Sequence, residues 1–395
     1  MKFKKSERMI KFYNPRNMHK HVKDRPEIRI GKRLVGPEHP CFVVAEISGN
    51  HHQNYSEAQQ LISKAAKAGA DAVKLQTYTP DTLTIDSNKQ WFLVNSLDTP
   101  SKWNKKKLYD LYKTAYTPWD WQPKLTKLAK ELGLILFSTP FDETAVAFLE
   151  KKIDPPVYKI ASYEANHIPL LKKVGSTGKP VILSAGFSSI SDIRLAIKTL
   201  KENGTNQIAV LHCVTAYSSK PNFADINLKT IADIANRFRV VAGFSDNNGG
   251  VEIPIVAAAF GASIVEKHLI LKRSMGGPDA SFSIEPHEFK TMVKQIRKNA
   301  QKETNVLRTS VAKKVIGKVK YGPANSAEAY NGRRFSQSVF AVSDIKKGET
   351  FTTYNIRCIR PGDGLAPKYY EKITGKLAKV NIERGTPLSW NLIVK

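Results

Sequence analysis

Ionisable and hydroxyl-bearing residues recur at the ends of short apolar runs. Glu46 falls near the end of Phe42–Ile47, Lys74 and Gln76 in Ala72–Thr77, Ser138 and Thr139 in Ile135–Thr139, and Lys159 in Val157–Ala161 with Ser162 just beyond. Ser184 ends Val181–Ser184 and His212 lies in Ile208–Val214. Ser245 ends Val240–Ser245 with Asp246 just beyond, and Lys267 and His268 close Ile264–His268. Lysines beside hydroxyls suit a ligand carrying both a phosphate and a carboxylate. A lysine in an apolar strand needs an anion beside it or a lowered pKa, so Lys74, Lys159 and Lys267 are expected to face inward and cradle such an anion. Two other chemistries fit part of this set. Lys74 or Lys159 could form a Schiff base, and His51, His52, His212 and His268 on one rim could bind a divalent metal. Nucleotide loops are missing. Gly175–Pro180 has too short a spacing and a proline after its lysine, and no G-x-G-x-x-G follows a strand.

These residues need a scaffold that brings eight strand ends to one place. Helical stretches separate the runs: Ser56–Ala68, Pro118–Leu132, Glu143–Lys151, Pro169–Ser176, Ser191–Asn203, Leu228–Phe238, Ile253–Phe260 and Pro286–Asn299. Ser56 and Ser191 are expected N-caps, with Gly69, Gly133, Gly178 and Gly204 after last turns. Eight β/α units between residues 42 and 299 match an α/β fold of the (β/α)8 (TIM) barrel type, which runs to roughly 250 residues and carries its chemistry at the C-terminal strand ends. A doubly wound sheet is the rival. The connection Tyr78–Tyr116 is too long for a plain turn and is expected to form a lid or substrate wall. Four segments follow: a basic N-terminal extension over 1–33, the barrel over 34–300, a polar linker over 301–332, and a small β-rich domain over 333–395. The last has expected strands at Ser338–Val342, Ile345 to Gly348, Ile356–Ile359 and Lys376–Val380.

Composition narrows the class further. The chain is 41% hydrophobic and 25% charged, which is globular usage. No apolar run approaches the length of a membrane span. Cys41, Cys213 and Cys358 form no C-x-x-C pair, and Met1–Arg33 holds no apolar signal segment, so a reducing, cytoplasmic setting is expected. The net charge is +27, and residues 1–37 alone hold twelve Lys/Arg against three Asp/Glu. Lysine-rich composition with a solvated basic arm accounts for this, with attraction of a phosphorylated substrate second. Nucleic-acid binding rests on charge alone, because no aromatic RNA motif, Cys/His finger or basic zipper is present.

The motifs, taken together, resemble the sialic acid synthase family. They are Val44-Ala45-Glu46-Ile47-Ser48-Gly49-Asn50-His51, Gly69 to Tyr78, Phe137-Ser138-Thr139-Pro140-Phe141-Asp142, Tyr158-Lys159-Ile160-Ala161-Ser162, Glu266-Lys267-His268 and Gly276 to Ser283. Arg360-Pro361-Gly362-Asp363-Gly364-Leu365 resembles the family's antifreeze-like (SAF) domain, and the likeness runs collinearly over residues 27–395. Tyr78–Thr82, Tyr116–Trp119 and Phe141–Val146 are most similar to pseudaminic acid synthases.

The resemblance implies condensation of phosphoenolpyruvate with an N-acetylated amino sugar, giving a nine-carbon α-keto acid and phosphate. It implies that Lys74, Thr139, Lys159, Ser162, Ser184 and Lys267 hold phosphoenolpyruvate, that Glu46 is the acid/base, and that Gln76 and Tyr217 face the sugar. It further implies a divalent cation, Mn2+ or Mg2+, on His212 and on the position occupied by Asn247. Arg360 would reach over the mouth from a partner chain in a domain-swapped homodimer. The chain departs from the family at two places. Asn247 stands where histidine is usual, implying weaker metal binding or a tilt toward magnesium. Lys272 stands where an aspartate is usual, which would reverse a charge at the mouth. The acceptor sugar most in keeping with the motifs is 2,4-diacetamido-2,4,6-trideoxy-altrose, with N-acetylmannosamine or a legionaminic precursor as alternatives. An inactive sugar-binding relative is the reading from another class.

Overall fold

A computed structural model describes residues 26–94, 106–215, 217–299 and 305–394. Most of the basic extension, part of the Tyr78–Tyr116 connection and residues 300–304 lie outside the described residues. Eight parallel strands close into a barrel: β1 Phe42–Glu46, β2 Ala72–Thr77, β3 Ile135–Pro140, β4 Tyr158–Ile160, β5 Val181–Ser184, β6 Ile208–Val214, β7 Val241–Asp246 and β8 Ile264–His268. Each pairs with the next, and β8 pairs back onto β1, with His268 opposite Glu46. The expected barrel is the observed fold.

Eight helices cover it: α1 Tyr55–Ala68, α2 Gln122–Glu131, α3 Glu143–Lys152, α4 Ile168–Gly175, α5 Ile190–Glu202, α6 Lys229–Phe238, α7 Glu252–Ala259 and α8 Pro286–Asn299. Two caps shift from expectation. Asn54, not Ser56, accepts the first amides of α1, and Ser189, not Ser191, forms a capping box with Asp192 at α5. Each cap lies two residues before the serine expected to fill it.

Strand parity divides the core in two. Phe42, Val44, Ala72, Phe137, Val157, Ile182, Ala209, Leu211, Val241 and Ile264 fill the barrel interior. Val43, Val73, Leu75, Tyr158, Ile160, Val210, Val214, Val265 and Leu269 pack outward under the helices. Ile28, Ile30 and Val35 join the interior cluster from an antiparallel hairpin, Ile28–Ile30 with Arg33–Val35. This hairpin crosses the expected boundary at residue 33. Alternating burial of its isoleucines makes its end of the basic segment part of the barrel core.

Residues 305–335, expected as linker up to 332, carry helices at Ser310–Val315 and Ser326–Phe335. Ala312 and Val315 are buried in the outer core, so apolar residues at i and i+3 anchor this stretch against the barrel. It then follows the rim, where Leu228 donates its amide to the Val315 carbonyl and Gly322 donates to that of Ser188. The C-terminal domain holds one antiparallel pair, β9 Ser338–Ala341 with β10 Ile356–Ile359. The runs expected as strands at 345–348 and 376–380 make isolated bridges only, Ile345 to Ile382 and Thr350 to Leu377. Among the described residues, no helix is long and apolar enough to cross a membrane.

Candidate active site

Continuing the interior parity two residues up each strand gives the floor of the barrel mouth. Val44 leads to Glu46, Ala72 to Lys74 and Gln76, Phe137 to Thr139, and Val157 to Lys159. Ile182 leads to Ser184, Leu211 to Cys213, Val241 through Gly243 to Ser245 and Asn247, and Ile264 to Glu266 and His268. All of these except Thr139 line one cavity of about 370 Å³, with Ser162, Tyr217 and Arg360 above. That volume lies in the range of small-molecule sites. Thr139 sits behind the wall and accepts a hydrogen bond from Lys74 Nζ at 3.2 Å.

The same parity excludes two expected residues. Lys267 points outward between strands, fully buried, with Nζ 2.7 Å from Asp246 Oδ2 and bonded to the Asn248 carbonyl. Its anion is therefore a side chain of the protein, and it does not line the mouth. His212 also faces outward, with Nε2 2.6 Å from the Ile226 carbonyl, and burial brings its ring down to about 4. Lys272 is exposed on the turn before Arg273, outside the cavity lining, so the charge reversal there falls away from the mouth. Asp279, from the following loop, lines the cavity instead.

Four charges pack in the floor. Lys74 Nζ lies 2.5 Å from Glu46 Oε2 and 3.7 Å from Glu266 Oε1, and Lys159 Nζ lies 3.0 Å from Glu266 Oε1. Gln76 Nε2 donates to Glu46 Oε1 at 2.8 Å, which fixes the carboxyl plane. Burial pushes the Glu46 carboxyl above the usual carboxylate range against the pull of Lys74. Burial also works against the charge on Glu266, yet Lys159 and Lys74 hold it down at about 2. Burial similarly opposes the charge on Lys74, but Glu266 and Glu46 outweigh it and raise its pKa, whereas burial prevails at Lys159 and lowers it. The floor thus pairs a carboxylate that two lysines favour in its ionised form with one, Glu46, whose hold on a proton burial strengthens, as an acid/base requires.

Several buried atoms around the cavity lack a partner. Among them are Ser184 Oγ, Arg360 Nε, Glu164 Oε2 and His268 Nδ1. Buried polar atoms are normally paired, and those of Ser184, Arg360 and His268 on the cavity lining are free to meet a polar ligand. Arg360 is 8% exposed and is sandwiched by Tyr163 at 5.1 Å and Phe141 at 5.2 Å. Its Nη2 donates to Glu164 Oε1 at 3.0 Å. Within this single chain the C-terminal domain that carries it packs over its own barrel, so Arg360 reaches the mouth from the same chain. Arg360 exchanges backbone contacts with Leu83 and Thr84, Trp91 Nε1 donates to the Gly385 carbonyl at 2.7 Å, and Phe92 packs on Phe340. The long connection after β2 thus acts as a strap as well as a wall. Tyr78, Leu83, Leu111, Tyr112 and Ala115 from it line the cavity on the side of Phe141 and Phe335.

The metal expectation changes in its ligands. Asn247 is at the mouth and its Nδ2 donates to Cys213 Sγ at 3.2 Å, but His212 is turned away. His268 is the histidine that lines the cavity. Burial drives it down to about 4, leaving a neutral ring, and its Nδ1 is 3.9 Å from Asp279 Oδ2. Among the described residues no three His, Cys, Asp or Glu side chains converge. A divalent cation here would be held by His268, Asp279 and the amide oxygen of Asn247, with further oxygens from substrate and water. Glu266, Glu164 and Asp279 had no assigned role at the start, whereas His268 stood among the histidines expected on a metal-binding rim. For Glu266 and His268 the available signal was parity with Ile264.

A profile of the NeuB family matches residues 61–307, and one of the SAF domain matches 336–394. The chain belongs to the NeuB family. Among individual relatives it is 37% identical to the pseudaminic acid synthase of Campylobacter jejuni over 88% of this chain and 95% of that protein. It is 37% identical to the pseudaminic acid synthase of Helicobacter pylori over 89% and 97%. The crystal structure of the Bacillus subtilis spore coat polysaccharide biosynthesis protein SpsE superposes with a TM-score of 0.79 at 33% identity, covering 93% of this chain and 99% of that one.

Proposed function

We propose that this protein condenses phosphoenolpyruvate with an N-acetylated amino sugar to give a nine-carbon sialic-type acid and phosphate. The observation that carries the reading is the buried floor of Lys74, Lys159, Glu46 and Glu266 beneath Ser162, Ser184 and Ser245. Lys74, Lys159 and the serines would bind the phosphate and carboxylate of phosphoenolpyruvate. Carbon 3 attacks the sugar aldehyde carbon, forming the new C–C bond and leaving a cation at carbon 2. Glu46 gives its proton to the aldehyde oxygen and then takes one from the water that adds to carbon 2. Loss of phosphate from that carbon yields the α-keto acid. A divalent cation, manganese or magnesium, supplies polarisation of the aldehyde when bound.

The sugar best suited to this mouth is 2,4-diacetamido-2,4,6-trideoxy-altrose, which makes pseudaminic acid the product. Leu83, Leu111, Ala115 and Phe141 form an apolar wall that suits methyl groups. A hydroxymethyl buried there would lose hydrogen bonds to water without replacement. The similarity to pseudaminic acid synthases supports the same choice. Mass analysis of the product formed from each sugar tests it. The diacetamido sugar should give the nine-carbon acid, and formation from N-acetylmannosamine alone would reject the assignment.

The metal reading gives a separate prediction. Asn247→His would place a second imidazole beside His268 at the mouth, and manganese affinity is expected to rise about tenfold. Paramagnetic titration with Mn2+ measures this, and an unchanged titration curve would remove Asn247 from the cation's surroundings.

A further inference from the structure

The floor holds a carboxylate that the reaction above leaves without a task. Glu266 is 4% exposed and lies between the two lysines that would grip phosphoenolpyruvate. Lys159 Nζ donates to both of its oxygens, at 3.0 and 3.2 Å. Lys74 Nζ stands 3.7 Å away, and Ser245 Oγ donates to Oε1 at 3.2 Å. Glu46 stands 2.5 Å from Lys74 on its other side but is the group that exchanges a proton, so Glu266 is the lasting negative charge set against the two ammoniums. A cradle shaped only for tight capture of a multiply charged anion would leave its cations uncompensated. This one satisfies them internally, so an arriving phosphate must draw each lysine from a carboxylate.

We propose that Glu266 is a positioning residue and a resident competitor for the substrate anion. Before substrate arrives it keeps Lys159 and Lys74 aimed into the mouth at a defined separation. During turnover it limits how tightly the floor holds phosphate, so that the product anion leaves. The inference rests on the floor being the phosphoenolpyruvate site, but its decisive measurement needs neither sugar nor turnover.

Glu266→Gln keeps the side-chain size and one acceptor oxygen while removing the charge. Calorimetric titration of the full chain with inorganic phosphate, and separately with phosphoenolpyruvate, is expected to show binding about tenfold tighter than wild type, as removal of one nearby negative charge requires. In steady state the KM for phosphoenolpyruvate and kcat should fall together, because phosphate release slows. A role confined to structural support predicts a different pattern, with weaker binding alongside lower kcat. Phosphate binding that is weaker or unchanged, in a variant with wild-type circular dichroism and melting, overturns the proposal. If that variant does not fold, Glu266→Asp serves instead. Its shorter carboxylate withdraws from Lys159, phosphate binding should tighten about two- to threefold, and loss of affinity would again reject the competitor role. Should the condensation reading itself be wrong, neither protein releases phosphate from phosphoenolpyruvate with any sugar, while the difference in phosphate binding persists.

Discussion

Replacing Glu46 with glutamine is expected to leave phosphoenolpyruvate binding near wild type and to slow turnover by about 10²–10⁴-fold, the usual contribution of a positioned acid/base. The amide oxygen still accepts from Lys74, and its NH2 can donate to Gln76 once that side chain turns its own amide oxygen inward, so the floor should retain its shape. What disappears is the group that exchanges the proton, a carboxyl whose pKa burial raises. Lys74 still faces Glu266, so its charge remains compensated. Calorimetry for binding and phosphate release for turnover separate the two effects. Turnover within a few-fold of wild type would assign the proton transfer elsewhere, and lost binding would show that Glu46 shapes the floor instead.

The second large effect is expected at Arg360. Arg360→Met leaves Glu164 buried without its partner, and breaking a buried pair in this way costs about 3–5 kcal/mol. The KM for the sugar should rise by about 10- to 100-fold, as loss of a charged hydrogen-bond donor predicts, while that for phosphoenolpyruvate stays close to wild type. Stability and sugar recognition can be separated. In the double variant Arg360→Met, Glu164→Gln, the orphaned charge is gone, so the melting temperature should recover most of the loss while the sugar KM does not. Recovery of both would make the arginine a structural strut between the domains, with no part in holding the sugar.

Much of the barrel was legible because strand and helix periods differ, and the eight β/α units emerge with strand bounds shifted by at most one residue. Parity within each strand was equally legible and decided the site. Lys74 and Lys159 share the interior face with Ala72 and Val157, whereas Lys267 and His212 share the outward face with Val265 and Val210. Residue type alone suggested phosphate and metal ligands at those two positions. The step of two residues along the strand instead selects Glu266 and His268. The single pair Ala312 and Val315 was too sparse to outweigh the glycines and asparagines of the segment expected as a linker, so its helix became visible only against the barrel surface. The path of the C-terminal domain over its own barrel was not legible either. It depends on contacts such as Trp91 with Gly385 and Arg334 with the Trp91 carbonyl, between residues far apart in sequence.

Phosphate release from phosphoenolpyruvate, followed with each sugar in turn and with manganese, magnesium or chelator, tests the central claim most directly. Release dependent on 2,4-diacetamido-2,4,6-trideoxy-altrose, absent with N-acetylmannosamine and abolished by chelator, is the predicted result. A folded protein that releases no phosphate with any N-acetylated amino sugar and either metal would contradict it, and would leave the cavity as a binding site for sugar acids or phosphate without this chemistry.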